Sequence, residues 1–97
     1  MIVRIMGDNQ YRVDDQHAPE IERLDDDLMK TVDASDHARF DAALRALIEH
    51  VRLSGQLVPN EELVPSDMMI PAPDMSLDEA REMLAKATIH EQGNVGA

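Results

Sequence analysis

The sequence predicts an α+β fold: a small antiparallel sheet, made of an N-terminal hairpin and a short third strand, packed against a helical hairpin and a third, C-terminal helix. Three observations predict it. β-Formers at Ile2, Val3, Ile5, Tyr11 and Val13 are split by Gly7, Asp8 and Asn9, which tolerate positive φ. Two apolar stripes at steps of three and four then run through residues 19–54. Finally, Pro59, Pro65, Pro71 and Pro73 break the helical pattern before a capping sequence at Ser76 restores it.

In the hairpin, Val3 and Ile5 fall on one face, while Ile2, Arg4 and Met6 share the other. Asp14 or Asp15 is placed to cap a first helix beginning near Pro19, a residue tolerable only in an opening turn. Ile21, Leu24, Leu28 and Val32 form its apolar stripe, and Glu20, Glu22, Asp25, Asp26 and Asp27 occupy much of the remaining circumference. This helix is therefore amphipathic and acidic.

Ser35 reads as the cap of a second helix, with Asp36 in its first turn and Gly55 as its stop. Phe40, Ala43, Leu44, Leu47, Ile48 and Val51 give it a wide apolar face, which locates the main core. The short connection between the two helices implies a helical hairpin. Residues 56–75 read as extended, with Met68, Met69 and Ile70 as a short edge strand flanked by prolines. Ser76-Leu77-Asp78-Glu79 has capping-box spacing, and Leu77, Ala80, Leu84 and Ala87 continue one face of a third helix. A single domain over residues 1–87 and a flexible tail over 88–97, with Gly93, Asn94 and Gly96, complete the organisation.

Composition narrows function. With 97 residues, one Phe, one Tyr and no Trp, the core is aliphatic and offers no deep aromatic pocket for a planar cofactor, so none is expected. The absence of Cys removes disulfides and thiolate metal sites and suits a reducing compartment, so a cytoplasmic location is expected. No signal-type segment or membrane span is apparent, and any membrane contact is expected to be indirect. The net charge of −11 opposes binding to nucleic acid and to anionic lipid. That charge is uneven: residues 1–35 carry 4 basic and 9 acidic groups, residues 36–55 carry 3 of each, and residues 56–97 carry 2 and 8. The middle segment is electrically distinct.

No catalytic constellation emerges. His17, His37, His50 and His90 lack ligand spacing, and only His37 sits one helical turn from a carboxylate, Asp41, a solvated surface pair in the simpler reading. Asp25, Asp26 and Asp27 project in different directions from a helix and do not converge on one cation. The serines fall at helix ends and turns, where hydroxyls serve the backbone, and the four glycines stand apart, without a phosphate loop. No catalytic or metal residue is assigned, and the chain reads as a non-enzyme.

Two features suit protein binding. Arg45 and Arg52, with Arg39 less well aligned, make a basic strip on the second helix, although pairing with the acidic first helix is the simpler account. The Met-rich segment around Met68, Met69 and Ile70 offers an edge to which a partner strand can add, although core filling is the simpler account of its methionines. The candidate partner-binding residues are therefore Asp25, Asp26 and Asp27, by charge, and Met68, Met69 and Ile70, by the edge.

Met1-Ile2-Val3-Arg4-Ile5-Met6-Gly7, then Gln10-Tyr11-Arg12-Val13, then Glu62-Leu63-Val64-Pro65-Ser66-Asp67 with Pro71 form an ordered combination spread from Met1 to Leu84. Together they resemble the small phage-shock-protein-A-associated (PspAA) proteins of actinobacteria and archaea. The resemblance implies a non-enzymatic adaptor or regulator in an envelope-stress system. Its implied partner is phage shock protein A, a coiled-coil protein that assembles on stressed membranes, and its implied location is the cytoplasm, with recruitment to the inner membrane face through that partner. It supplies no catalytic residues. The competing reading is an acidic polyanion mimic that blocks a nucleic-acid-binding protein, and a small hydrolase or metal enzyme has the least support. The thin core and the edge strand also leave a homodimer open.

Overall fold

The computed structural model describes residues 1–59, 62 and 64–84. The chain forms β1 (Ile2–Ile5), β2 (Gln10–Val13), a 3-10 turn (Asp15–His17), α1 (Ala18–Asp33), α2 (His37–Ser54), β3 (Gly55–Leu57) and β4 (Met68–Ile70). A third helix, α3, runs from 77 to the last described residue, 84. The expected tail at 88–97 lies outside the described residues.

The α+β class is as the sequence predicts, but the sheet is mixed rather than antiparallel. Its order is β3-β2-β1-β4, with β1–β2 and β2–β3 antiparallel and β1–β4 parallel. Met68–Ile70 forms a strand as expected. It runs parallel to β1 because β3 already shares the direction of β1 and the chain passes from that edge of the sheet to the opposite one before β4, instead of through a tight turn. β3 is an addition to the expected fold.

The β1–β2 turn closes through Asp8 N–H to Ile5 O at 3.0 Å, with Gly7 at φ +77°, the third position of a type II turn. Pleating then sends Val3, Ile5 and Val13 inward, and Ile70 joins them opposite Ile5.

Neither Asp14 nor Asp15 caps α1 with its side chain. The 3-10 turn intervenes, and Asp14 contributes only its carbonyl, to His17 N–H at 2.9 Å. Pro19 sits in the first helical turn, as its missing N–H requires. The α1 C-terminus closes as a Schellman motif, with Asp36 N–H to Thr31 O at 3.0 Å and Ser35 N–H to Val32 O at 3.1 Å. Ser35 supplies the left-handed residue of that motif, at φ +54°. It therefore cannot cap α2, and Asp36 does so, accepting from Arg39 N–H at 3.1 Å. The hairpin is antiparallel, since the His17 ring at the start of α1 lies 6.2 Å from that of His50 near the end of α2. The Ser76–Glu79 capping box forms in both directions, each bond 3.1 Å.

The core joins the inward residues of the sheet to Ile21, Leu28 and Val32 of α1, Phe40, Leu44, Leu47, Ile48 and Val51 of α2, and Leu77 and Ala80 of α3. Arg81 fastens α3 in place: its guanidinium donates to Val32 O at 2.6 Å and Ser35 Oγ at 2.8 Å, setting a cation at the negative end of α1.

Candidate protein-binding interface

Three surfaces carry the candidate residues. On α1, Asp25, Asp26 and Asp27 diverge as adjacent helical residues must. Arg23 bridges Glu20 and Asp27, the latter at 3.2 Å, so Asp27 is partly neutralised. Asp26 is exposed. Asp25 is half-buried with no cation within ion-pair distance among the described residues, and burial, then the charge of Asp26, pushes its carboxyl up from the ordinary value. Among the described residues no three acidic, His or Cys side chains gather to hold a metal ion.

The raised Asp25 carboxyl fixes a sign. Above its unfolded value the native state holds the proton more tightly than the unfolded chain does, so stability falls as pH rises through that window and stays lower at neutrality. Asp25→Asn is expected to raise the thermal midpoint at pH 7 and to have little effect at pH 3. A midpoint that falls at pH 7 contradicts the unpaired carboxylate.

On the sheet, Met68, Met69 and Ile70 separate by alternation. Ile70 is fully buried opposite Ile5, Met68 packs partly against the core opposite Val3, and Met69 points outward beside Arg4, 45% exposed. A partner at this edge therefore meets Met69 and strand backbone, while Ile70 serves the core. β4 is an outer strand, with no strand beyond it among the described residues.

On α2, the arginines do not pair with α1. Arg39 bridges to Asp36 of its own helix at 3.5 Å, and Arg52 reaches Asp8 in the hairpin turn at 2.9 Å. Asp8 also accepts from Tyr11 Oη at 3.3 Å and Asn9 Nδ2 at 3.1 Å, and its hydrogen bond from Arg52 chiefly holds its carboxyl below the ordinary range. Sequence reasoning missed Asp8, whose partner lies 44 residues away. Arg45 has no ion-pair partner among the described residues. It lines a groove of about 680 Å³ between α2 and residues 73–76, with Leu44 and Ile48 in its wall.

The serine hydroxyls are committed to structure. Ser35 accepts from Arg81, Ser54 donates to His50 O at 2.6 Å, Ser66 accepts from the buried Gln10 at 2.8 Å, and Ser76 caps α3. The His50 Nε2 atom is buried without a partner among the described residues, edge-on to His17.

A family model described as PspA-Associated protein (PspAA) matches residues 1–93. No curated protein and no solved structure matches the chain.

Proposed function

As the chain belongs to the PspA-associated protein family, we propose that it is a non-enzymatic adaptor or regulator in a phage-shock-type envelope-stress response, binding a partner protein such as phage shock protein A. The observation that carries this reading is the family match over residues 1–93, whose name states association with that protein. The site geometry supports a binding role. Asp25 is a partly desolvated carboxylate without a cation partner among the described residues, and a partner's Lys or Arg would supply one. The exposed Asp26 adds long-range attraction for a basic stretch. Met69 and the outer backbone of β4 would provide a short-range hold. No helix of the described residues is long and apolar enough to cross a membrane, and recruitment to the inner membrane face would run through the partner.

Titration calorimetry against purified phage shock protein A, at about 50 and 500 mM salt to span strong and weak screening, tests the reading. Saturable binding that weakens with salt is expected. Reversal of Asp25, Asp26 and Asp27 to Lys is expected to weaken it by about tenfold or more and to flatten the salt dependence. Unchanged affinity and salt dependence in that variant remove the electrostatic contribution, and no binding by the native chain removes the partner.

A further inference from the structure

We propose that the exposed face of α2 binds the same face of a second copy of this chain, as an antiparallel helix pair about a two-fold axis. Electrostatics select both the place and the occupant. Copies of a −11 chain repel one another, and both flanking segments share that sign, whereas residues 36–55 carry no net charge. A self-contact costs least there.

The face is self-complementary in detail. Asp41, Arg45, Glu49 and Arg52 alternate in sign and, at about 100° per residue, fall within about 80° of arc. All four are exposed, and all four line the groove beside residues 73–76. Asp41, Arg45 and Glu49 have no ion-pair partner in their own chain among the described residues, although the spacing of Arg45 from each suits an intrahelical pair. Arg52 gives one of its five guanidinium N–H groups to Asp8. A parallel, in-register pairing sets like charges together. An antiparallel pairing about an axis beside Leu47 brings Asp41 near Arg52 and Arg45 near Glu49, each twice by symmetry.

Apolar contact accompanies the charges. Leu53, the most exposed large hydrophobic among the described residues at 79%, flanks the charged row on one side and supplies the apolar contact, whereas Leu44 and Ile48 on the other side are buried in the core. The antiparallel arrangement carries Leu53 of each copy to the Ala42 end of the other helix. Ala42 and Ala46 are exposed and small, so the axes can approach to about 8–10 Å. The pairing leaves Asp25, Asp26 and Met69 outside the contact, so it stands independently of binding to phage shock protein A.

Sedimentation equilibrium of the full chain over about 1–200 μM, the range in which a micromolar dimer dissociates, tests the pairing. The mass is expected to rise with concentration from 10.9 kDa towards about twice that value. Arg45→Glu, which opposes Glu49 with a like charge at two symmetric positions, is expected to weaken association by about tenfold or more. The swapped variant carrying both Arg45→Glu and Glu49→Arg is expected to recover it. Leu53→Asp keeps the charged row and is expected to weaken association separately, with circular dichroism verifying the fold of each variant. A native chain that stays monomeric, an unaffected Arg45→Glu variant or an unrescued swap overturns the proposal.

Discussion

Replacement of Phe40 by alanine is expected to lower the unfolding free energy by about 3–5 kcal/mol, the usual range for a buried aromatic truncated to a methyl. Phe40 is the sole phenylalanine, is fully buried, and lies one turn into α2, where its N–H bonds Asp36 O at 2.9 Å. Its neighbours in the core are mostly aliphatic side chains held by the strands and both hairpin helices. The other large ring packed against the core, Tyr11, is held by strand pairing on both sides and by its hydroxyl on Asp8, so relaxation is limited and the cavity contribution is large. A domain of this size is stable by about 5–15 kcal/mol, so the loss removes a major part of the total. At about 4–8 °C per kcal/mol, a midpoint fall of at least about 12 °C is expected in a thermal melt. Leu53→Ala on the same helix, at an exposed position, is expected to change monomer stability by less than about 0.5 kcal/mol. Equal effects at the two positions would contradict this placement of the core.

The sequence carried the elements whose information is local. The period-two alternation of Ile2–Ile5, the stripe of Ile21, Leu28 and Val32, the wide face around Phe40 and Leu47, and the reciprocal cap at Ser76 depend on neighbours within a few residues. What it did not carry depends on distant partners. Met68–Ile70 has the same alternation whether it pairs parallel or antiparallel, and only the return path of the chain decides. Gln56 and Leu57 are both exposed, so β3 has no apolar signature and exists because the end of α2 lies beside β2. Ser35 and Asp36 are both good caps; closure of α1 demanded a left-handed residue first and passed the cap to Asp36. The acidic run of α1 was legible as charge. The partial burial of Asp25 and the tying of Asp27 to Arg23 were not, because they depend on the packed helix. Ile70 looked equal to Met69 in composition, and alternation against β1 separated them.

The helix-to-strand junction at Gly55 yields the second large effect, and its cause is steric. Gly55 has φ −104°, which any residue adopts, so backbone strain is not the issue. An added Cβ would lie 2.8 Å from Val51 O, 3.0 Å from Val13 Cγ2 and 3.1 Å from the Tyr11 Cβ. Val51 O accepts the N–H of Gly55 itself, so it cannot retreat without loosening the last turn of α2. Val13 is buried in the core, and Tyr11 is held by strand pairing on both sides. Gly55→Ala is therefore expected to cost about 1–3 kcal/mol, the range for overpacking, and Gly55→Val more. Gly7 provides the contrast: its Cβ would meet only Ala72 Cβ at 3.7 Å, but its φ of +77° disfavours side chains. Asn tolerates positive φ, so Gly7→Asn is expected to be mild where Gly55→Asn is severe. Because the strain pushes β3 and the end of α2 away from β2, Gly55→Ala is expected to speed amide exchange at Arg12 and Gln56, which face each other across that junction. The same displacement moves Arg52 and Leu53, so the variant is expected to weaken self-association as well. A Gly55→Ala protein with native midpoint and native exchange rates would show that α2 does not approach β2 this closely, and the geometry of the α2 face would fall with it.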